Sequence, residues 1–281
     1  QVARKDRRAF EPITLATFAF LIFAGIVIFY GSFIEPQRLT VTEYEIELPN
    51  QGSSLPTGTD IAKERVRADR PESPVGTETA EALIRTDTSQ NIVRIALISD
   101  IHVGPYKNAD WVTKVVQKTN EQNPDIVLLA GDFLFGPRDA VEELSPLKDL
   151  SAPLGVYAIL GNHDYTEDSL HAPATSGMYK NDERANGLLD ALRAMQITVL
   201  ENKSVVIEKN GRKLFNLGGT QELWTDHADV NATFAHQSPG LTNILLVHNP
   251  DMVLNAQKRP DIDLVLAGHT HGGQIRLPLW G

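Results

Sequence analysis

Residues 93–102 read "VRIALISDIH", a run of aliphatic side chains that ends in an acidic residue and a histidine. A short, continuous apolar run of this kind predicts a buried β-strand. The same design recurs at residues 125–132 ("DIVLLAGD"), 155–164 ("GVYAILGNHD"), 243–249 ("NILLVHN") and 263–271 ("DLVLAGHTH"). In α/β sheets, ligands bind beyond the carboxyl ends of the strands, so these polar strand ends are expected to converge on one site.

Helical and hairpin patterns separate these strands. Residues 108–122, "NADWVTKVVQKTNEQ", start with a capping Asn108 or Asp110 and carry apolar residues at helical spacing, and residues 182–195 form a second predicted helix. In "SVVIEKNGRKLFNLGG", Asn210-Gly211 separates two alternating segments and predicts a tight hairpin. The alternation of strands and helices predicts a layered α/β domain over residues 92–281.

Composition narrows the chemistry of this domain. The chain of 281 residues has a formal net charge of -10, which argues against a nucleic-acid-binding surface because such domains are normally basic. The sequence contains no cysteine, so a metal ion must be held by nitrogen and oxygen ligands.

The polar residues at the strand ends are the candidate functional residues. Histidine and aspartate are poor structural choices there, because buried ionisable groups cost free energy unless they are paired or bind a metal. Each motif alone is weak, since a single D-x-H or Gly-Asp is commonly a turn or a surface residue. Together they indicate one shared site that comprises Asp100, His102, Asp132, Asn162, His163, Asp164, His248, His269 and His271.

The ordered set D-x-H, G-D, G-N-H-D, H and G-H-x-H resembles the calcineurin-like metallophosphoesterase superfamily over residues 92–281. The segments "FIEPQRLTVTEYEIELP", "ITVLENKSVVIE", "LLVHNPD" and "GHTHGGQIRLP" are similar to its membrane-anchored or exported bacterial members of the YkuE/YaeI type. The resemblance implies a four-layered αββα sandwich of two mixed sheets flanked by helices, here expected to lack its C-terminal end. Residues 50–91, which are longer than expected, and "GGTQELW", which replaces a more acidic segment at residues 218–224, depart from the family pattern.

The resemblance also implies a role for each candidate residue. One divalent metal ion would be bound by Asp100, His102, Asp132 and His271, and a second by Asp132, Asn162, His248 and His269. His163 would protonate the leaving oxygen, and Asp164 would fix the tautomer of His163. Gly268, Gly272 and Gly273 would let the backbone turn tightly around the last two histidines. Such mixed ligands suit Mn²⁺, Fe or Zn²⁺, and analogy favours manganese.

The charge balance of such a site favours phosphate. Two divalent cations outweigh the carboxylates of Asp100 and Asp132 and a bridging hydroxide, so the pocket keeps a net positive charge. We therefore expect hydrolysis of phosphoester bonds, with phosphodiesters or lipid-linked phosphates as substrates. One alternative is cleavage of the pyrophosphate in UDP-diacylglucosamine, although that cytoplasmic nucleotide substrate conflicts with the topology predicted below. The other alternative is a non-catalytic metal-binding scaffold, although the sequence has a suitable residue at every metal-ligand position.

The N-terminal segment predicts a membrane anchor. Residues 13–34 carry no charge and are long enough to cross a hydrocarbon core of about 30 Å as a helix. Basic residues cluster within residues 1–12, which places that segment in the cytoplasm and the catalytic domain outside, on a single-pass protein of the inner or cytoplasmic membrane. A cleaved signal peptide and a twin-arginine export signal at Arg7-Arg8 are alternatives.

Two further segments connect the predicted anchor to the domain. Residues 35–50 are predicted to form a strand that leads into the domain. Residues 51–91 are rich in Ser, Thr, Pro and Gly and are predicted to be a flexible linker or insertion, with a short helix over residues 78–85 as the alternative.

Overall fold

A computed structural model describes residues 3–31, 39–46, 48, 81–88, 91–136, 140–166 and 182–271 of the chain. Residues 51–80 of the predicted linker lie outside the described residues, as do residues 32–34 of the predicted anchor. The same holds for residues 272–281, which include Gly272 and Gly273 of the last motif.

The N-terminal helix α1 runs from Ala3 to Phe29. Many of its large apolar side chains are exposed, including Leu15, Phe18 and Ile22. Within the described ranges, no helix has both the length and the apolar character that a membrane crossing requires. The anchor over residues 13–34 therefore stays a prediction.

The first sheet contains six strands, and it carries three of the five polar strand ends. Its strands in spatial order are β1 (Val41–Ile46), β2 (Glu81–Thr88), β3 (Asn91–Ile98), β4 (Ile126–Ala130), β5 (Val156–Ile159) and β6 (Thr198–Val199). Strands β3 to β6 run parallel, whereas β2 is antiparallel to β3 and parallel to β1. The aliphatic run of β4 is completely buried, as expected for a parallel strand that is covered on both faces of the sheet.

Strand β2 differs from the sequence prediction. Residues 81–88 fall inside the predicted flexible linker, yet residues 81–86 pair with β1 on one side and residues 82–88 pair with β3 on the other. The alternative helix over residues 78–85 is wrong for residues 81–85. Glu, Ala and Leu favour a helix locally, but pairing with neighbouring strands overrides this weak preference.

The second sheet contains four strands, and it carries the other two polar strand ends. Its strands in spatial order are β10 (Leu264–Ala267), β9 (Thr242–Val247), β8 (Arg212–Gly219) and β7 (Lys203–Lys209). Strands β8, β9 and β10 are parallel, and β7 and β8 form the predicted antiparallel hairpin. Its turn residues Asn210 (φ 53°) and Gly211 (φ 77°) both have left-handed backbones, which a type I′ turn requires.

The helices follow the predicted patterns closely. Helix α2 (Ala109–Glu121) is capped by Asn108, whose side chain accepts a hydrogen bond from the Trp111 N–H, and α3 spans Asp182–Ala194. Two short helices, α4 (Val230–Thr233) and α5 (Val253–Ala256), lie near the second sheet.

Three apolar cores define the order of the layers. The first core packs α2 and α3 against one face of the six-stranded sheet, and includes Trp111, Leu129 and Leu188. The second lies between the two sheets and joins Leu128 to Leu217 and Leu246. The third packs α4 and α5 against the outer face of the four-stranded sheet. The chain therefore has an α/β architecture with two mixed sheets between helices, as the sequence predicts.

Candidate metal centre

The five polar motifs meet at the carboxyl ends of the two sheets. Strands β4 and β9 come into contact there, and the His248 ring Nδ1 lies 2.6 Å from the carbonyl oxygen of Ala130. All nine predicted residues lie in segments that directly follow β3, β4, β5, β9 and β10. The structure thus brings together side chains that are up to 171 positions apart in the sequence, from Asp100 to His271 (271 - 100).

The first group of donors consists of Asp100, His102, Asp132 and His271, whose ligand atoms all lie within 4.8 Å of one another. The Nε2 atoms of His102 and His271 are only 3.1 Å apart, and His102 Nε2 lies 3.6 Å from Asp132 Oδ2. Asp100 Oδ1 is buried and has no hydrogen-bond partner in the described part of the chain. A cation between these atoms would compensate the orphaned carboxylate oxygen, so this donor set fits a divalent metal ion.

The second group consists of Asp132, His248 and His269, again with all ligand atoms within 4.8 Å. His248 Nε2 lies 3.2 Å from Asp132 Oδ2, 3.1 Å from Asn162 Oδ1 and 3.2 Å from His269 Nδ1. Asn162 therefore joins this group, and Asp132 belongs to both groups. Because a single carboxylate faces two sets of donors, the geometry suits a pair of cations.

Backbone carbonyl groups orient two of the histidine rings. His102 Nδ1 lies 3.3 Å from the carbonyl oxygen of Leu134, and His248 Nδ1 makes the corresponding contact with Ala130. A carbonyl oxygen can only accept, so each Nδ1 carries a proton and each Nε2 points into the cluster. Such contacts fix the tautomer that a metal ligand needs.

The electrostatics of the cluster favour added positive charge. Burial lowers the pKa of His102 to about 3, so this ring is neutral and offers a lone pair. Burial also disfavours charge on His248, but the adjacent Asp132 carboxylate raises the pKa of His248 to about 10. The pKa of Asp132 is held below its usual range by His248, against the effect of burial. The Asp132 carboxylate thus stabilises a positive charge at Nε2 of His248. Either a proton or a metal ion can carry that charge.

Five candidate residues have left-handed backbones: Asp100 (φ 59°), His102 (φ 53°), Asp132 (φ 57°), His269 (φ 71°) and His271 (φ 52°). This conformation costs a non-glycine residue about 1–2 kcal/mol. Strain of this kind accumulates at functional sites, where the surrounding structure enforces it. The strained turns aim successive side chains at one point, and the sequence pattern alone did not predict this geometry.

Asp164 makes contacts that the sequence did not predict. Asp164 is fully buried, and its carboxylate accepts hydrogen bonds from the N–H groups of Asp132, Leu134 and Gly161 at 2.9–3.0 Å. Nδ1 of His163 has no hydrogen-bond partner among the described residues, so the tautomer-fixing contact from Asp164 stays a prediction. Three backbone donors compete more effectively for a carboxylate than one neutral ring. Asp164 instead holds together the loops that carry Asp132 and Asn162.

His163 lies at the edge of the cluster. Its N–H donates to Asp132 Oδ1 at 2.9 Å, and its ring packs at 5.1 Å edge-to-face against the ring of His102. Burial lowers the pKa of His163 below its usual value. The ring is partly exposed and is therefore accessible from the solvent side.

Two glycines in the motifs lie where a larger side chain would not fit. A Cβ on Gly161 would overlap Asp132 and approach His248 Cε1 to 2.8 Å. A Cβ on Gly268 would overlap the Ser99 side chain, and the backbone of Gly268 is not left-handed. The Thr270 N–H donates to the Gly268 carbonyl at 2.9 Å, which is the tight turn that the sequence predicts, and the position also needs a small residue because the strands approach closely there.

The segment 218–224 contributes two residues that the sequence reasoning did not assign to the site. The Trp224 ring packs edge-to-face against the ring of His269 at a centroid distance of 4.9 Å. Burial raises the pKa of Glu222 to about 7, and only one of its carboxylate oxygens is hydrogen-bonded among the described residues. The departure of this segment from the family pattern was the one sequence feature that could have pointed to it. That feature did not indicate which side chains face the cluster.

Comparisons with known proteins agree with this arrangement. A sequence profile described as calcineurin-like phosphoesterase matches residues 93–273. The metallophosphoesterase YkuE of Bacillus subtilis is 32% identical over 193 residues, which cover 67% of this chain and 61% of YkuE. Phosphodiesterase YaeI of Escherichia coli is 30% identical over 192 residues, which cover 67% of this chain and 64% of YaeI.

A third relative has a more specific name. The UDP-2,3-diacylglucosamine pyrophosphatase LpxG of Chlamydia muridarum is 30% identical over 222 residues, which cover 66% of this chain and 65% of LpxG. The matched stretch thus spans less than two thirds of the length of each of these three relatives.

Proposed function

Because the chain belongs to the calcineurin-like phosphoesterase family, we propose that it hydrolyses phosphoester bonds at a site for two divalent cations. The observation that carries this proposal is the shared carboxylate of Asp132, which faces two groups of nitrogen and oxygen donors. We propose phosphodiesters or lipid-linked phosphates as substrates. The names of YaeI and LpxG, a phosphodiesterase and a pyrophosphatase, support a phosphorus centre with two ester or anhydride links.

Each cation would have its own set of ligands. We propose that Asp100, His102, Asp132 and His271 hold one ion, and that Asp132, Asn162, His248 and His269 hold the other. Two such ions would supply a positively charged surface for the phosphoryl oxygens and would lower the pKa of a bound water molecule. Imidazole, amide and carboxylate ligands suit Mn²⁺, Fe and Zn²⁺, and we propose Mn²⁺ from the family analogy.

His163 is proposed to donate the proton that the leaving oxygen needs. Support comes from its position, because its backbone contacts Asp132 while its ring stays at the rim beside His102. No described residue accepts a hydrogen bond from its Nδ1, so the ring is not committed to a structural contact at that atom. A proton donor of this kind contributes about 10²–10⁴-fold to a rate.

We also propose that the N-terminal segment anchors the domain outside the cytoplasm. The support is the uncharged run of residues 13–34, the basic residues before it and the exposed apolar side chains of α1. Exposed aliphatic and aromatic surface of this extent is costly in water and favourable in a bilayer. An anchored site would act on phosphoesters at the membrane surface.

Similarity to LpxG supports a second candidate, cleavage of the pyrophosphate in a UDP-linked diacylglucosamine. The proposed topology disfavours this reaction, because the domain would lie outside the cytoplasm whereas the nucleotide substrate is cytoplasmic. An assay with this substrate separates the two candidates directly.

The test uses the full chain in detergent with added Mn²⁺. We expect hydrolysis of bis-p-nitrophenyl phosphate in preference to p-nitrophenyl phosphate. Turnover should fall by more than about 100-fold in Asp132→Ala, in which both cation sites lose a ligand. His163→Ala should retain its metal and lose turnover, and Asp190→Ala, at an 81% exposed side chain, serves as the control. Two bound metals without turnover of any of the three substrates would refute the enzyme and support the scaffold alternative.

A further inference from the structure

Three aromatic rings meet at the rim of the proposed metal centre. The ring centroids of His102 and His163 are 5.1 Å apart, and the centroid of the Phe135 ring lies 5.3 Å from the first and 5.6 Å from the second. His102 is buried, whereas His163 and Phe135 are both partly exposed. The accessible part of this triangle is therefore formed by one imidazole ring and one phenyl ring.

The backbone around Phe135 is held in place. The Phe135 N–H donates to the Val103 carbonyl at 2.9 Å, and the Val103 N–H donates to the Phe133 carbonyl at 2.8 Å. A Cβ on Gly104 would overlap the carbonyl oxygen of Phe135, so the loops after β3 and β4 are in close contact at this point. Because the phenyl ring is attached to a backbone with little freedom, a ligand that contacts it loses little free energy to ordering.

The position of Phe135 beside His163 determines which part of a substrate it can contact. A proton donor lies about 2.6–3.2 Å from the atom that it protonates. With His163 as the donor, the leaving oxygen lies next to the imidazole ring. The first carbon atoms bonded to that oxygen are then within reach of the phenyl ring, whose centroid is 5.6 Å from that of the imidazole.

A phenyl ring at this place discriminates by polarity. It offers no hydrogen bond, so a polar group that gives up water to lie against it gains no compensating contact. A hydrocarbon group instead removes apolar surface from water. Burial of about 50–60 Å² of such surface corresponds to about a tenfold preference.

We propose that Phe135 contacts the leaving group and selects phosphodiesters in which that group is apolar. The inference rests on the proposed phosphoester hydrolysis with His163 as proton donor, and it narrows the substrate class. A water oxygen bonds to phosphorus, the bond from phosphorus to the leaving oxygen breaks, and its electron pair stays on that oxygen. The leaving oxygen takes a proton from His163, and the proton that the water loses returns to His163 through the solvent. The products are an apolar alcohol and a phosphate monoester.

The test uses a substrate in which either of two bonds can break. The full chain in detergent with added Mn²⁺ is given benzyl methyl phosphate, and the released benzyl alcohol and methanol are quantified. The two alcohols have closely similar acidities, so ease of departure favours neither. We expect at least about fivefold more benzyl alcohol, because a leaving benzyl group lies against Phe135. Both products come from one substrate, so their ratio does not depend on the amount of folded or metal-loaded protein.

Variants of Phe135 connect this ratio to the phenyl ring. Phe135→Ala should lower the ratio below about twofold, and so should Phe135→Gln, which keeps a long side chain but makes it polar. Phe135→Leu stays apolar and should keep most of the preference. Tyr44→Ala is the matched control, because it removes an exposed aromatic ring from the edge strand β1 and should leave the ratio unchanged.

Two results would overturn the inference. The first is an equal release of the two alcohols, or an excess of methanol, from the wild-type chain. The second is a benzyl preference that persists in both Phe135→Ala and Phe135→Gln.

Turnover of bis-p-nitrophenyl phosphate separates this inference from the proposed function. Normal turnover of that compound without a benzyl preference refutes the role of Phe135 alone. If the Mn²⁺-loaded chain hydrolyses neither diester, the proposed function is refuted and this inference is refuted with it.

Discussion

Asp164 offers a test that separates its observed role from the role predicted by the motif. Its carboxylate is completely buried, with Oδ2 accepting from the N–H groups of Asp132 and Gly161 and Oδ1 accepting from that of Leu134. Asp164→Asn keeps the size of the side chain. Its amide oxygen can replace Oδ2, but its NH₂ group must then face the Leu134 N–H, and two donors cannot bond to each other.

The expected cost follows from this count. One buried N–H that loses its acceptor costs about 1–3 kcal/mol. Burial, with the negative charge of Asp132 nearby, raises the pKa of Asp164 to about 7, so a neutral amide also removes an unfavourable interaction. We therefore expect a net loss of about 1–2 kcal/mol for Asp164→Asn near pH 8. Asp164→Ala orphans three donors and should cost several-fold more, which approaches the whole stability of a domain.

Thermal unfolding of the metal-free protein measures this cost. A loss of 1 kcal/mol lowers Tm by about 2–4 °C in a domain of this size, so Asp164→Asn should melt about 2–8 °C below the wild type. Asp190→Asn is the matched control, because Asp190 is 81% exposed and only pairs with Arg193 on the surface. Its free energy of unfolding should change by less than about 0.5 kcal/mol.

The two roles of Asp164 give opposite results. If Asp164 only fixed the His163 tautomer, Asp164→Asn would match the control in Tm and lose turnover alone. That outcome would refute the backbone role that the structure assigns to Asp164.

Three further predictions test the site and its surroundings. Adding Mn²⁺ at 100 times its Kd should raise Tm by about 5–11 °C, and Asp132→Ala should abolish this rise. Gly161→Ala should impair metal binding, since its Cβ overlaps a ligand, whereas Gly187→Ala, at an open helical position, should raise the free energy of unfolding by about 0.5–1 kcal/mol. A hydrogen bond from Arg259 lowers the pKa of Asp261 to about 2, so Asp261→Asn should cost less than about 1 kcal/mol at neutral pH. That cost should disappear as the pH falls from about 4 to 2 in acid denaturation series, because the contribution of a depressed carboxyl is lost there.

The sequence by itself determined the strands other than β2 and β6, the two main helices and the identity of the clustered residues. Buried strands in this chain are continuous aliphatic runs with abrupt polar ends, as in residues 125–132, so their type and limits are encoded locally. The Asn210-Gly211 turn is equally local, because few other residue pairs tolerate two left-handed backbones.

Tertiary structure alone decided the features that depend on distant partners. Strand β2 exists because β1 and β3 offer hydrogen bonds on both sides, which overrides the helical preference of its residues. The role of Asp164 depends on three N–H groups from the two loops that follow β4 and β5. The position of Trp224 beside His269 depends on the strand order of the second sheet, which brings the segments after β8 and β10 together. Residue type and spacing specify which groups are available, but the contacts between loops far apart in sequence are set by packing, and packing determines what each group does.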